Sequence, residues 1–167
     1  MTEVSRRNAI ALSALAWLIG VPLAHGVIPW ALSLVGPRFL GWWSSLGMIP
    51  LALGAALLAW VAVTGLPSAR DLSERVSLDW QPKVFIASGP YAWTRNPMYV
   101  GELLLWAGWA VWLSSPVTLL GGTLLWLAMT RLIPREERDL EARFGDPFRA
   151  YAARVPRWLG LRRSVSQ

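Results

Sequence analysis

Apolar residues in this chain gather into four long blocks separated by short polar stretches, a pattern that predicts helices crossing a lipid bilayer. The blocks run from Ala9 to Val35, Gly41 to Leu66, Met98 to Leu113 and Val117 to Ile133. A span needs roughly 20 apolar residues, within a range of about 17–25, because the hydrocarbon core is about 30 Å thick. Blocks one and two are comfortably long, whereas three and four sit at the short end. Pro22, Gly26 and Pro29 interrupt the first block and predict a kink or re-entrant turn. Ser114-Ser115-Pro116 joins blocks three and four without a charge, which predicts a tight helical hairpin. The expected fold is all-α: a polytopic membrane helical bundle of about four transmembrane helices with a cytoplasmic amphipathic C-terminal segment. One domain accounts for residues 1–167, with two N-terminal spans in 1–66, a linker in 67–96, the hairpin in 97–133 and the C-terminal segment in 134–158.

The polar stretches carry their own signals. Within the linker, Asp71 to Val76 predicts a short surface helix. After Ile133 the pattern turns amphipathic, with Pro134 placed to open a helix at its first position and Gly145 to stop it. Asp146-Pro147 then restarts a second helix as N-cap and first residue. In it Phe148, Tyr151, Ala152 and Val155 fall at i, i+3, i+4 and i+7, a single apolar face that Pro156 terminates.

Composition agrees with a membrane protein. The chain is 54% hydrophobic and only 16% charged, with mean hydropathy +0.40, against about 45–50% and about 25% in soluble domains. The 12 tryptophans suit the headgroup level of a bilayer. A net charge of +6 raises nucleic acid as a partner. The arginines, however, sit between apolar blocks, where they act as topology signals, so nucleic-acid binding is not expected. Arg6, Arg7, the Arg70–Arg95 linker and the C-terminal arginines share one side of a four-span chain, and Arg38 alone lies opposite. The positive-inside rule places both termini in the cytoplasm, with the chain integral to a bacterial-type inner membrane. A secretory signal peptide is the rival reading of Arg6-Arg7 and the run after it, but that run is too long and lacks a clear small-residue cleavage site. With no cysteine there is no disulfide, thiolate ligand or thiol nucleophile. The single histidine, His25, reads as a polar kink residue, and no metal site is expected.

Two polar clusters sit at the cytoplasmic ends of blocks three and four. The first holds Gly89-Pro90-Tyr91 and Arg95-Asn96-Pro97-Met98-Tyr99. Asn96 before Pro97 suits an N-cap with proline in the first turn, and a helix N-terminus beside Arg95 favours a carboxylate or phosphate. Ordinary capping, with Arg95 as a topology residue, accounts for the same spacing. The second cluster is Arg135-Glu136-Glu137-Arg138. Neighbouring helical side chains point about 100° apart, so only one glutamate need face the bundle, and a solvated charge run is the plain alternative. Glu102 lies about one turn inside block three, where an unpaired carboxylate costs several kcal/mol and marks function by default. Pairing with Arg131 near the same end of block four explains it equally. Packing or an interface belt suffices for Trp106, Trp109 and Trp112.

Taken in order, Gly89-Pro90-Tyr91, Arg95-Asn96-Pro97-Met98-Tyr99, Gly101, a hairpin, Glu136-Glu137, Phe144-Gly145, Tyr151 and Val155-Pro156-Arg157 resemble one superfamily. It is the isoprenylcysteine carboxyl methyltransferase and phospholipid methyltransferase superfamily of integral membrane enzymes. The resemblance covers residues 85–158; each motif is short, and their order and spacing make the combination specific. It implies methyl transfer from S-adenosylmethionine, leaving S-adenosylhomocysteine, to a lipophilic acceptor reached from the membrane lipids: a lipid carboxylate, a phospholipid amine, or a small lipophilic thiol or amine. Carried over, the cofactor-binding residues are Tyr91, Arg95, Asn96, Pro97, Tyr99, Glu136, Glu137 and Tyr151. Glu102, Tyr99 and Arg157 are the catalytic candidates, the first two to assist an amine in losing its proton and Arg157 to grip an anionic headgroup. Carboxyl methyltransferases of the family usually carry His where Asn96 stands, which counts against prenylcysteine as acceptor. The alternative from another class is a small four-span proton-coupled transporter using Glu102.

Overall fold

The computed structural model describes Gly20, residues 23–71 (side chains to Gly65) and residues 85–160. Arg6-Arg7, most of block one as far as Pro22, and all of the expected surface helix after Asp71 lie outside the described residues. Within them every regular element is helical. A π-helical turn, Leu23–Val27, runs into α1, Ile28–Ser33. A 3-10 turn, Trp42–Gly47, leads into α2, Met48–Asp71. A second 3-10 turn, Gly89–Ala92, precedes α3, Pro97–Trp112. Then come α4, Pro116–Phe144, and α5, Asp146–Arg154.

Two helical segments, Trp42–Gly65 and Pro116–Phe144, are long and apolar enough to cross a membrane. The 16 residues of α3 are equally apolar but shorter, about 24 Å at 1.5 Å per residue. Leu53, Val63, Leu120 and Leu124 stand more than half exposed on α2 and α4. Water would penalise such a surface, and lipid would not.

The tightest packing joins α2 to α3, and glycine is the reason. A Cβ on Gly54 would lie 2.8 Å from the Gly101 carbonyl oxygen, and one on Gly108 would lie 2.7 Å from the Leu51 nitrogen. Gly47 meets Trp112 and Gly108 in the same way. Gly101 and Gly108 repeat at seven residues and so stay on one face of α3, where they meet Gly54 of α2 and Gly47 at the end of the preceding 3-10 turn. Apolar helices in lipid gain little from burying more apolar surface, so close backbone approach through small residues is what holds them together.

The α3–α4 hairpin is as tight as its sequence predicts. Ser114 takes a positive φ of 47°, and Ser115 Oγ caps α4 by accepting from the Thr118 amide at 3.2 Å. The Phe39 amide donates to the Ser114 carbonyl at 3.0 Å, and the Ser44 and Ser114 hydroxyls meet at 2.7 Å. Buried Thr118 donates Oγ1 to the Pro29 carbonyl at 3.0 Å, fastening α1 to α4.

The C-terminal segment departs from expectation in two places. Pro134 does not open a new helix; α4 runs unbroken from Pro116 to Phe144 with Pro134 inside it. Proline removes one backbone bond, whereas ending and restarting the helix there would free up to four donors and four acceptors. At the next boundary Gly145, with φ 58°, is the residue that caps α5, and Asp146 is its first helical residue. The Gly145 carbonyl accepts from Phe148 and Arg149, and the Asp146 carboxylate pairs with Arg149 instead of capping.

Gly108→Val drives a branched side chain into the α2 backbone. It should cost about 1–3 kcal/mol or more, seen as a lowered melting midpoint by tryptophan fluorescence in detergent. Gly65→Ala, with nothing within 4 Å of the added Cβ, should leave the midpoint unchanged or raise it.

Candidate functional site

The continuity of α4 past Pro134 sets the geometry of the site. Ile133, Glu136, Glu137 and Leu140 fall at i, i+3, i+4 and i+7. Ile133 is fully buried and the other three partly so, while Arg135 and Arg138 are exposed. Both glutamates therefore face inward, although two neighbours need not. They look into a cavity of about 420 Å³ between the start of α3, the end of α4 and α5.

Tyr91, Arg95, Asn96, Pro97, Tyr99, Glu136, Glu137 and Tyr151 all line this cavity. Phe148 lines it too. Arg157 and Glu102 are not in its wall: Arg157 stands behind Glu137, and Glu102 lies one turn further along α3 from Tyr99.

Glu137 is held by two arginines. Arg157 donates Nε to its carboxylate oxygens at 3.1 Å and adds a bond from Nη2. Arg95 Nε comes within 3.3 Å of Oε1 but at an angle that makes no hydrogen bond, leaving that nitrogen buried without an acceptor among the described residues. The hydrogen bonds from Arg157 to Glu137 raise the Arg157 guanidinium further above its ordinary range. Glu136 has a different partner, the Tyr99 hydroxyl, which donates to Oε1 at 2.7 Å. One glutamate is thus paired with two cations, and its neighbour is bonded by a tyrosine hydroxyl alone.

The chain after α5 is strapped across the start of α3. The Arg95 amide donates to the Pro156 carbonyl at 2.9 Å. The Arg157 carbonyl accepts from Thr94 Oγ1 at 3.0 Å and from Asn96 Nδ2 at 2.9 Å. Asn96 therefore occupies the N-cap position as expected, yet its side chain spends its donor on the strap and makes no cap bond. Tyr151 donates its hydroxyl to the Tyr91 carbonyl at 2.8 Å. Burial pushes the Tyr151 hydroxyl up to about 12 and raises Tyr91 as well, so both stay protonated at neutral pH. The apolar face of α5 is buried as its spacing predicts: Phe148, Tyr151 and Val155 form one cluster with Phe85, Leu140, Phe144 and Ala152 against it.

Thr94 and Phe85 escaped the sequence reading. Thr94 is almost fully buried, and only its place between Trp93 and Arg95 hinted at a role. Phe85 packs on Phe144, Phe148 and Tyr151 with ring centroids 5.2–6.1 Å apart; it lies within the linker, and nothing local marks it. Glu102 does not pair with Arg131, which is exposed. Its near neighbour is the imidazole of His25, Nε2 to Oε1 at 3.8 Å.

The model of the phospholipid methyltransferase family matches residues 49–147, from the start of α2 to the start of α5. The chain belongs to this family. Among curated relatives, the protein-S-isoprenylcysteine O-methyltransferase of Xenopus laevis is 30% identical over 125 residues, 74% of this chain and 43% of the relative. Protein-S-isoprenylcysteine O-methyltransferase B of Arabidopsis thaliana is 30% identical over 117 residues, 69% of this chain and 58% of the relative. An uncharacterized protein of Haemophilus influenzae is 40% identical over 63 residues, 37% of this chain and all of the relative. This chain thus spans about half the length of the named methyltransferases it matches. No solved structure matches it. Membership of a phospholipid methyltransferase family gives no support to a proton-coupled transporter built on Glu102.

Glu137→Ala should release the strap, because it leaves one arginine buried and another half-exposed without their carboxylate. Tryptic cleavage after Arg154 and Arg157 should quicken about tenfold for each 1.4 kcal/mol lost. Thr94→Val should give a smaller acceleration of the same cleavage, and rates equal to wild type in both variants would contradict the strap.

Proposed function

We propose that the cavity binds S-adenosylmethionine and that the chain transfers its methyl group to a lipophilic acceptor held in the membrane. The observation that carries this reading is the meeting of the family's motif residues, Tyr91, Arg95, Asn96, Pro97, Tyr99, Glu136, Glu137 and Tyr151, around one cavity of about 420 Å³. That volume falls in the range of about 300–1,000 Å³ typical of ligand sites. Names of the relatives that specify isoprenylcysteine O-methylation support transfer to a lipophilic acceptor.

The donor set fits the cofactor part by part. Arg95 carries a buried Nε without an acceptor and stands at the first turn of α3, whose free amides favour an anion; together they are assigned the methionyl carboxylate. Glu136, with only a tyrosine on it, is assigned the ammonium or the ribose hydroxyls, whereas Glu137 is occupied by Arg157 and serves to orient Arg95. Tyr91, Tyr151 and Phe148 supply flat apolar surface for the adenine. The cofactor when bound supplies an electrophilic methyl group on a sulfonium. The chain's task is to hold that carbon in line with the acceptor, and positioning of this kind supplies a large share of the acceleration for such a displacement. Arg157 is poorly placed to grip a headgroup while it holds Glu137, and that role is set aside.

In the same reading the chain crosses a bacterial-type inner membrane four times as one domain, with both termini and the cavity on the cytoplasmic side. The acceptor enters laterally between helices while its tail stays in hydrocarbon.

Calorimetric titration of the detergent-purified protein with S-adenosylmethionine and S-adenosylhomocysteine tests the site. Micromolar binding is expected for both. Glu136→Ala and Arg95→Ala should each weaken it by about 10–100-fold, the worth of one charge-assisted hydrogen bond. Absence of binding in the wild type, or unchanged affinity in both variants, would overturn the assignment.

A further inference from the structure

Arg131, Arg135 and Arg138 of α4 have no place in the cavity wall, and no carboxylate among the described residues pairs with them. All three are exposed. At about 100° per residue they fall within about 80° of one another and of Leu120, Leu124 and Leu127, so the six side chains form one stripe along the helix. The three leucines are 57%, 58% and 39% exposed. Met129 and Ile133 are buried on the opposite face, where Glu136 lines the cavity. The stripe is therefore apolar from Leu120 to Leu127, basic from Arg131 to Arg138, and turned away from the cofactor site.

A topology signal alone does not require this arrangement, because it needs arginines beyond the span at any angle around the helix. Arg131 stands 15 residues past Pro116, about 22 Å along the axis at 1.5 Å per residue. That is about 8 Å short of crossing a hydrocarbon core about 30 Å thick. A lipid-facing guanidinium at such a depth is costly unless it snorkels to the interface and meets an anion there. Arg135 and Arg138 lie one and two turns nearer the water on the same line. Arg138 Nε donates to the Pro134 carbonyl at 3.1 Å, which draws its guanidinium back toward the other two. The acidic residues of this part of α4 are placed elsewhere. Glu136 and Asp139 line the cavity, Glu137 holds Arg95 and Arg157, and Glu141 pairs with Arg149.

We propose that this stripe binds one anionic phospholipid from the leaflet at the C-terminal end of α4. Its phosphate is held by Arg131, Arg135 and Arg138, and one acyl chain lies along Leu120, Leu124 and Leu127. Three guanidiniums favour a headgroup whose phosphate charge is uncompensated, as in phosphatidylglycerol. A choline or ethanolamine headgroup brings a cation of its own, which they repel. This lipid is not the methyl acceptor, since the stripe and the cavity occupy opposite faces of α4. It sets the depth of α4 in the bilayer, and with it the level of Glu136 and Glu137.

Native mass spectrometry of the full chain released from detergent reads the bound lipid directly. Phosphatidylglycerol should be retained about tenfold more tightly at low salt than phosphatidylcholine with the same chains. The double variant Arg131→Gln/Arg135→Gln should weaken phosphatidylglycerol by about 10–30-fold and leave phosphatidylcholine within about twofold. Should that variant fail to fold, Arg131→Gln alone should give a loss of about fivefold. A control of equal charge change on α5, Arg149→Gln/Arg154→Gln, should retain phosphatidylglycerol as the wild type does. Equal retention of the two lipids by the wild type, or an equal loss in the α5 control, would overturn the proposal. Displacement of phosphatidylglycerol by millimolar glycerol phosphate would reveal a site for soluble phosphate and overturn it too.

Discussion

Glu137 between two arginines is the interaction on which the site depends. Arg95 precedes α3, Glu137 rides near the end of α4, and Arg157 follows α5, so one carboxylate joins three elements far apart in sequence. Glu137 and Arg95 are more than four-fifths buried, whereas the Arg157 side chain is 42% exposed. Arg157 makes the hydrogen bonds and Arg95 the more deeply buried charge contact, so the two arginines hold the carboxylate in different ways. Around the ion triad, the carbonyls of Pro156 and Arg157 accept from Arg95, Thr94 and Asn96. The strap is hydrogen-bonded backbone held in place by charge, and it brings α5 over the cavity.

Much of this was legible in the chain because helices in lipid leave strong signatures. Apolar blocks two to four appear as α2, α3 and α4, and the Phe148–Val155 spacing appears as a buried face. The eight motif residues converge because a hairpin closed by Ser114-Ser115-Pro116 must bring the first turn of α3 beside the late turns of α4. What was illegible depends on tertiary context. Pro134 reads as a helix start on local preference, yet breaking the helix there would free several backbone groups where proline frees only one. Asn96 reads as a capping side chain, but Arg157, 61 residues away, claims its donor. Glu102 reads as a partner for Arg131 by depth, and the turn carrying His25 reaches it instead. The last two choices were decided by residues too distant in sequence for spacing to register.

Fold and chemistry meet through the same economy of small residues. The glycine contacts draw α2 and α3 together until their backbones touch, which fixes α3 along its length. That fixity carries Tyr99 and Glu102, one turn apart, to defined positions relative to α4. The unbroken passage of α4 through Pro134 does the same for Glu136 and Glu137. A hinge at Pro134 would have left the two glutamates on a mobile surface helix, where neither the Tyr99 bond nor the Arg95 contact could be held to within an ångström.

The site is consequently polarised along α3. At its start the charge is cationic and compensated, with Arg95 and Arg157 on Glu137. One to two turns further in it is anionic, with Glu136 on Tyr99 and Glu102 facing His25. A zwitterion whose carboxylate is drawn to the first zone and whose ammonium is drawn to the second can lie in only one direction. In the proposed reading the sulfonium methyl group then faces α3, on the side from which a lipophilic acceptor would approach. Compensating one glutamate of the pair while leaving its neighbour charged is what creates that direction; two equivalent glutamates would attract the ammonium equally at either end.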